Sequence, residues 1–413
     1  MDSFRMVRGK PLVFAAGALG LAAVLTASAV LVAPAGARTV TPRTPRNDEV
    51  MASVEAGRTE RTTSASAFAS KDALAQARRH IELARELGDP RHLGRAQAAL
   101  APWWNDAAPG DEVLLLRATI RQSLHDFAGA RADLDTLIVR NPDDAQARLT
   151  RAVVATVMGD ADTALADCAR VGTLVGEPWA SACAAPLATR DGGTRAAYAR
   201  LRGIVDGMRA PGTGTGMGKN TNVGGAPGEA WATTSLGELA RAAGDDVAAE
   251  AHLRRALELS PGDVYTLGVL ADLLVDGGRA AEAVALLDAH AEPDPLRLRL
   301  AVAARAAGDL GATAHAAIVR RGIEAAAARG DTTHLRERAR YFLDVDPDAD
   351  EALRAAIGNW KLQREAADAR VFLEAAAAAG DRAAAAPVLA WMDEARIDDA
   401  VLARARVRLE GRR

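Results

Sequence analysis

The chain has 413 residues, of which 49% are hydrophobic and only 4% aromatic, and its formal net charge is −3 at pH 7. The chain therefore lacks the excess of basic residues that drives nucleic-acid binding. With only two cysteines, it is not a disulfide-rich scaffold. The hydrophobic residues are mostly alanine, with some leucine and valine, so the composition favours closely packed helices over a sheet.

Residues 1–37 have the parts of a secretory signal. Arg5, Arg8 and Lys10 precede an apolar stretch, and small-residue sites of the A-x-A type lie within and after it. The apolar run is also long enough to span a bilayer, so an uncleaved anchor is the main alternative, and a buried core helix is a third. Either main interpretation places the remaining chain outside the cytoplasm: periplasmic or secreted after cleavage, or anchored in the inner membrane and facing the periplasm. Membrane contact is expected only through this segment, if it is uncleaved.

Two segments further along the chain lack an apolar period. Residues 38–70 are rich in Thr, Ser, Arg, Pro and Glu, which predicts a disordered tether. Residues 209–228 are rich in Gly, Thr and Pro, which predicts a flexible loop. This loop separates a front helical block, residues 71–208, from a rear helical block, residues 229–413.

Within both blocks, runs of helix-forming residues are interrupted by the dipeptide Gly-Asp. Glycine after a helix adopts the left-handed conformation that ends it. The aspartate that follows accepts hydrogen bonds from the first backbone N–H groups of the next helix. Each pair therefore predicts the tight turn of a helical hairpin, at residues 88–89, 159–160, 244–245, 308–309, 330–331 and 380–381.

The hairpins recur with a period of 34 residues. Units begin at Asp111 and Ala145 in the front block and at Ala230 and Val264 in the rear block. A proline that cannot continue a helix closes several units, as Pro261 does 16 residues after Asp245.

The unit from Ala230 to Asp263 resembles a tetratricopeptide repeat. Leu236-Gly237 match the Leu-Gly of its first helix, Gly244-Asp245 match its turn, and Ala249, Ala256 and Pro261 match its small residues and closing proline. The resemblance covers roughly residues 71–410. It implies an all-α, right-handed superhelical solenoid of antiparallel helix pairs. Most units lack the family's Trp and Tyr, and the short spacing after Gly308 predicts one long helix over about 310–329.

Cys168 and Cys183 flank a predicted turn at equal distances. Residues equidistant from the turn of an antiparallel helix pair lie at the same height, so the two side chains can meet if both face the interface. An exported protein occupies an oxidising compartment. The sequence therefore predicts an intramolecular disulfide, with two separate buried thiols as the alternative.

Motifs for catalysis, metals and cofactors are missing from the sequence. No H-E-x-x-H, no Cys-His ligand set and no G-x-S-x-G elbow occurs, and Gly218-Lys219-Asn220 lacks the spacing and the hydroxyl of a phosphate loop. The charged run Arg336-Glu337-Arg338 is interpreted as a solvated helix face. We therefore expect no enzyme, no cofactor and no metal site.

The resemblance to tetratricopeptide repeats implies that the first helices of the pairs line a concave groove that takes a segment of a partner protein. Matching the repeat pattern places the rear groove at a set of seven residues: Trp231, Thr234, Glu238, Arg241, Tyr265, Asp272 and Asp276. Their mixture of aromatic and acidic side chains suits a basic or amphipathic segment. For Trp231 and Tyr265 a pure packing role is the alternative.

The combined pattern predicts a protein–protein interaction scaffold in a bacterial cell envelope, whose partner is another exported or membrane protein. A structural subunit of an envelope secretion or export assembly is one alternative. A small-ligand receptor or enzyme accessory without catalytic activity is another.

Overall fold

The structure, a computed structural model, describes residues 63–209, 226–290, 294–328 and 334–411. Over these ranges the chain forms helices and turns, and no strand occurs in them. The α-helices, numbered in chain order, are α1 (Thr63–Leu87), α2 (Arg91–Ala99), α3 (Asp111–Ser123), α4 (Phe127–Arg140), α5 (Ala145–Met158), α6 (Ala161–Val175), α7 (Trp179–Ala184), α8 (Thr194–Arg209), α9 (Ala226–Ala242), α10 (Asp246–Leu259), α11 (Val264–Asp276), α12 (Ala280–Asp288), α13 (Asp294–Ala307), α14 (Ala312–Ala328), α15 (Leu335–Asp344), α16 (Ala349–Trp360), α17 (Ala366–Ala379), α18 (Ala386–Glu394) and α19 (Ala400–Gly411).

Some predicted boundaries fall at the edges of the described ranges. The predicted signal or anchor, residues 1–37, lies outside them, as does most of the tether. Helix α1 begins at Thr63, so the last residues assigned to the tether are helical, because alanines there extend the helix-forming run towards the N-terminus. The loop predicted at 209–228 is helical at both edges, and residues 210–225 lie outside the description.

The Gly-Asp turns within the described ranges begin with a left-handed glycine, as predicted, and the turn predicted at residues 330–331 lies outside those ranges. Gly244 has a φ of 84°, a left-handed conformation that costs glycine little. The side chain of Asp245 accepts a hydrogen bond from the backbone N–H of Ala248 at 2.9 Å and so caps α10. An aspartate caps helices α4, α5, α6, α11 and α16 in the same way.

Small residues allow the two helices of a pair to approach closely. In the pair α9–α10, a methyl group on Gly237 would lie 2.7 Å from Cγ of Leu253 and 3.2 Å from the carbonyl oxygen of Ala249. Ala249 and Ala256 are buried in the same interface. The glycine and alanines of the repeat pattern therefore set the helix separation.

The odd-numbered helices from α1 to α19 form an inner layer, and the even-numbered helices pack outside them. The core continues across the predicted loop, because Trp179 and Leu201 before it share one buried cluster with Trp231 and Leu236 after it. The front and rear blocks are thus one continuous array.

Helix α14, Ala312–Ala328, matches the long helix predicted for this region. It packs on α13 through partly buried residues and contains no fully buried one. Across the described ranges, none of the helices combines the length and the apolar character that a membrane crossing requires.

Candidate functional site

The inner layer closes on itself in the rear part of the chain. Helix α19 contacts α9, so α9, α11, α13, α15, α17 and α19 surround a cavity of about 300 Å³. Residues of α5 and of the segment after α7 complete its wall. The concave face predicted to be a groove therefore lines a partly open cavity that these helices surround.

Trp231 and Thr234 of α9 are mainly packing residues. The ring of Trp231 is 8% exposed and lies 5.6 Å, centroid to centroid, from the ring of Trp179. One edge of Trp231 also lines the cavity. Thr234 is buried, and its hydroxyl shares a hydrogen bond of 2.9 Å with the hydroxyl of Thr266 on α11.

Glu238 and Tyr265 form a pair at the cavity wall. The hydroxyl of Tyr265 donates a hydrogen bond to the carboxylate of Glu238. Burial raises the pKa of Glu238 above its usual range, although this hydrogen bond and Arg241 act against the shift. Burial and the neighbouring carboxylate raise the pKa of Tyr265 well above its ordinary value, so its hydroxyl remains a donor.

The two predicted acidic residues of α11 are paired with arginines of the same chain. Asp272 accepts hydrogen bonds from Nε of Arg299 at 3.0 Å and from Nη1 of Arg340 at 2.9 Å. Burial alone would raise the pKa of Asp272, but these two guanidinium groups hold it well below its usual range.

Asp276 holds the second ion-pair cluster. Arg370 of α17 donates to both carboxylate oxygens of Asp276, at 2.6 and 2.7 Å, and Arg241 of α9 donates to the same carboxylate. Burial opposes ionisation here too, yet the hydrogen bond from Arg370 and the charge of Arg241 lower the pKa of Asp276. One carboxylate on α11 thus joins α9 to α17.

Glu365, the residue just before α17, has a pKa that is raised in the structure. Burial, reinforced by the nearby carboxylates of Asp368 and Glu238, raises its pKa to about 8, while Arg336 opposes the shift. At neutral pH Glu365 is therefore largely protonated. Its backbone N–H and side chain also form a capping box with Asp368.

Backbone hydrogen bonds close the array along a seam between its front part and its C-terminal hairpins. The N–H of Arg364 donates to the carbonyl of Val157 at 2.8 Å. At a second place, the N–H of Asp191 donates to Ala395 at 3.0 Å, and the N–H of Asp398 donates to Thr189 at 2.7 Å. Such backbone bonds hold the closure independently of side-chain charge.

Sequence reasoning missed the cavity residues of α15 and α17. The run interpreted as a solvated face was assigned wrongly at Arg336, whose side chain is 20% exposed and lines the cavity together with Glu337. Arg336 and Arg340 are one helical turn apart, as are Arg370 and Glu374. This spacing, on the helices that form the inner layer, is the sequence signal that could have identified a charged inner face.

Cys168 of α6 and Cys183 of α7 are joined by a disulfide, with Cα atoms 5.5 Å apart. Both are buried in the cluster that also holds Trp231. The bond fixes α7 against α6, and Cys183 itself lines the cavity.

Elsewhere in the described ranges, no group of three or more His, Cys, Asp or Glu side chains is arranged to hold a metal ion. The carboxylates of the cavity are instead held by arginines, a tyrosine or backbone N–H groups.

Comparison with known proteins gives a family match in one part of the array. A tetratricopeptide-repeat family model matches residues 240–308, which run from the end of α9 through α13. Among solved structures, the crystal structure of the P58(IPK) TPR domain is 16% identical, covers 81% of this chain and 97% of that chain, and superposes with a TM-score of 0.23. A search of curated proteins gave no match.

Proposed function

Because the chain carries tetratricopeptide repeats, we propose that it is a protein–protein interaction scaffold whose concave face binds a segment of a partner protein. Stacked hairpins of this kind present an extended inner surface, and they bind without needing catalytic groups. The observation that best supports binding at the concave face is the pair of acidic residues on α11. Asp272 and Asp276, the residues expected to meet a basic segment, are already occupied by arginines.

The chain's own arginines indicate the chemistry of the partner. Arg340 and Arg370 lie on α15 and α17, which follow α11 in the array. In the unbound chain they form ion pairs with the acidic residues of α11. A partner segment with lysine or arginine side chains would compete with them for the same carboxylates. The closed array is then the unbound form, and binding requires the C-terminal hairpins to move away from α9 and α11.

Two substitutions that break the same ion pair test this function. Arg370→Ala removes one of the two arginines that hold Asp276 and makes this carboxylate more accessible, so capture of the partner by crosslinking in cells, read by mass spectrometry, should increase. Asp276→Asn removes the acceptor, so capture should decrease. Glu258→Gln, an exposed carboxylate on the outer helix α10, is the matched control and should leave capture unchanged.

The opposite changes in capture expected for the two variants distinguish partner binding from simple opening of the array. If loosening the closure were all that mattered, both variants would change capture in the same direction. That result, or crosslinks that map only to the outer even-numbered helices, would overturn the proposal.

We further propose that this scaffold is exported to a bacterial cell envelope and that its partner is an exported or membrane protein. The cationic start and apolar stretch of residues 1–37 support this location. The disulfide between Cys168 and Cys183 also suits an oxidising compartment. N-terminal mass spectrometry and protease accessibility in intact cells test it, and a reduced, protease-protected chain with an intact leader would contradict it.

A further inference from the structure

The cavity inside the closed array has the size and wall of a small-molecule site. Its volume is about 300 Å³, at the lower end of the range of ligand pockets. Part of the wall is apolar and aromatic, formed by Trp231, Leu239, Val269, Trp391 and Leu402. The same lining forms the concave face proposed above to bind a partner, so the inference below concerns the closed, unbound form of the array.

The carboxylates of the wall already have partners. Nε of Arg370 and Nη2 of Arg408 lie 3.0 and 2.6 Å from Glu374, and Asp399 accepts the backbone N–H groups that begin α19. Three others pair with arginines and one with Tyr265, namely Asp272, Glu337, Asp344 and Glu238. Asp272, Glu337, Asp344 and Glu374 are therefore already paired with arginines, which leaves a cationic ligand few acceptors on this wall.

Two arginines of the same wall differ from the rest. In the part of the chain that the structure describes, the guanidinium groups of Arg190, which is partly exposed, and Arg364, which is exposed, make no hydrogen bond and no ion pair. Nε of Arg241, on the opposite side, is buried and also lacks an acceptor. The wall thus offers unused N–H donors on cationic groups next to an apolar surface.

Both arginines belong to the seam that closes the array. Arg190 lies between Thr189 and Asp191, whose backbone groups bond to the C-terminal hairpins, and the backbone N–H of Arg364 donates to Val157. The side chain of Arg364 lies against Gly159, with its Cδ 3.2 Å from where a Cβ would be. An anion held by these two groups would join the two sides of the seam.

We propose that the cavity binds a small amphiphilic anion, with its carboxylate or phosphate head on Arg190 and Arg364 and its apolar part against the aromatic wall. The planar fork of a guanidinium matches the oxygens of either head group and binds them in bidentate fashion. The protonated state of Glu365 at neutral pH reduces the negative charge that such a ligand would meet.

Calorimetric titration and thermal unfolding of the purified full chain test this site with four probes of equal chain length. Octanoate and octyl phosphate should bind saturably and raise the unfolding temperature, whereas octanol and octylammonium should bind at least tenfold more weakly. The ratio between octanoate and octyl phosphate shows which head group the site prefers.

The double variant Arg190→Ala with Arg364→Ala should weaken binding of both anions at least tenfold. Because these guanidinium groups have no partner in the described ranges, the variant should keep its helical content. Arg305→Ala is the matched control, since Arg305 is exposed on α13, is unpaired and lies outside the cavity, and it should bind as the parent does. Binding of octanol as tight as that of octanoate, no binding of any probe, or full binding by the double variant would overturn the proposal.

Discussion

The close approach of α9 and α10 predicts opposite effects for one substitution at two glycines. Gly237 and Gly203 are both inside helices, so alanine gains about 1 kcal/mol of helix propensity at each. At Gly203 in α8 the new methyl group meets nothing within 4 Å. At Gly237 it would lie 2.7 Å from Cγ of Leu253, whereas carbon atoms prefer about 3.5–4.0 Å.

Leu253 is fully buried, so it has no open space into which to move. Overpacking of this kind costs about 1–3 kcal/mol. Gly203→Ala should therefore raise the free energy of unfolding by about 1 kcal/mol. The clash at Gly237 cancels or exceeds that gain, which leaves Gly237→Ala about 1–3 kcal/mol less stable than Gly203→Ala.

Urea unfolding followed by far-UV circular dichroism, with both variants and the parent measured side by side, gives this difference directly. If Gly237→Ala proved as stable as Gly203→Ala, the two helices would not be in close contact at this glycine. The assignment of α9 and α10 to a tightly packed repeat pair would then be refuted.

Three further predictions concern the disulfide, the ion pair between α11 and α17, and the cavity. Reduction of the bond between Cys168 and Cys183, which are 15 residues apart, should lower the free energy of unfolding by about 3 kcal/mol in urea titrations with and without reductant. A double-mutant cycle on Arg370 and Asp276 should give a coupling energy of about 1 kcal/mol that decreases with added salt, and no coupling would contradict the ion pair. Because the pKa of Glu365 is raised to about 8, the folded chain holds a proton that the unfolded chain has released, so stability should fall as pH rises from about 4.5 to about 8. Glu365→Gln should flatten that decline in unfolding midpoints measured across the window, and an unchanged slope would contradict the shifted pKa.

The sequence was sufficient to predict the hairpins, because their causes are local. A left-handed glycine such as Gly244 and a capping aspartate such as Asp245 act within a few residues of each other. The 34-residue period and the small residues of the helix interface repeat that local information along the chain. Helix type, pair order and the position of Glu238 and Asp272 on first helices could therefore be read without coordinates.

Closure of the array was decided only by the tertiary structure. Asp276 and its partner Arg370 are 94 residues apart, and nothing in the local sequence of either one indicates the other. Whether they meet depends on small rotations between successive hairpins, which add up along the array and change where the period becomes irregular after Gly308. The same accumulated rotation brings α19 to α9, so that the expected groove becomes a partly open cavity.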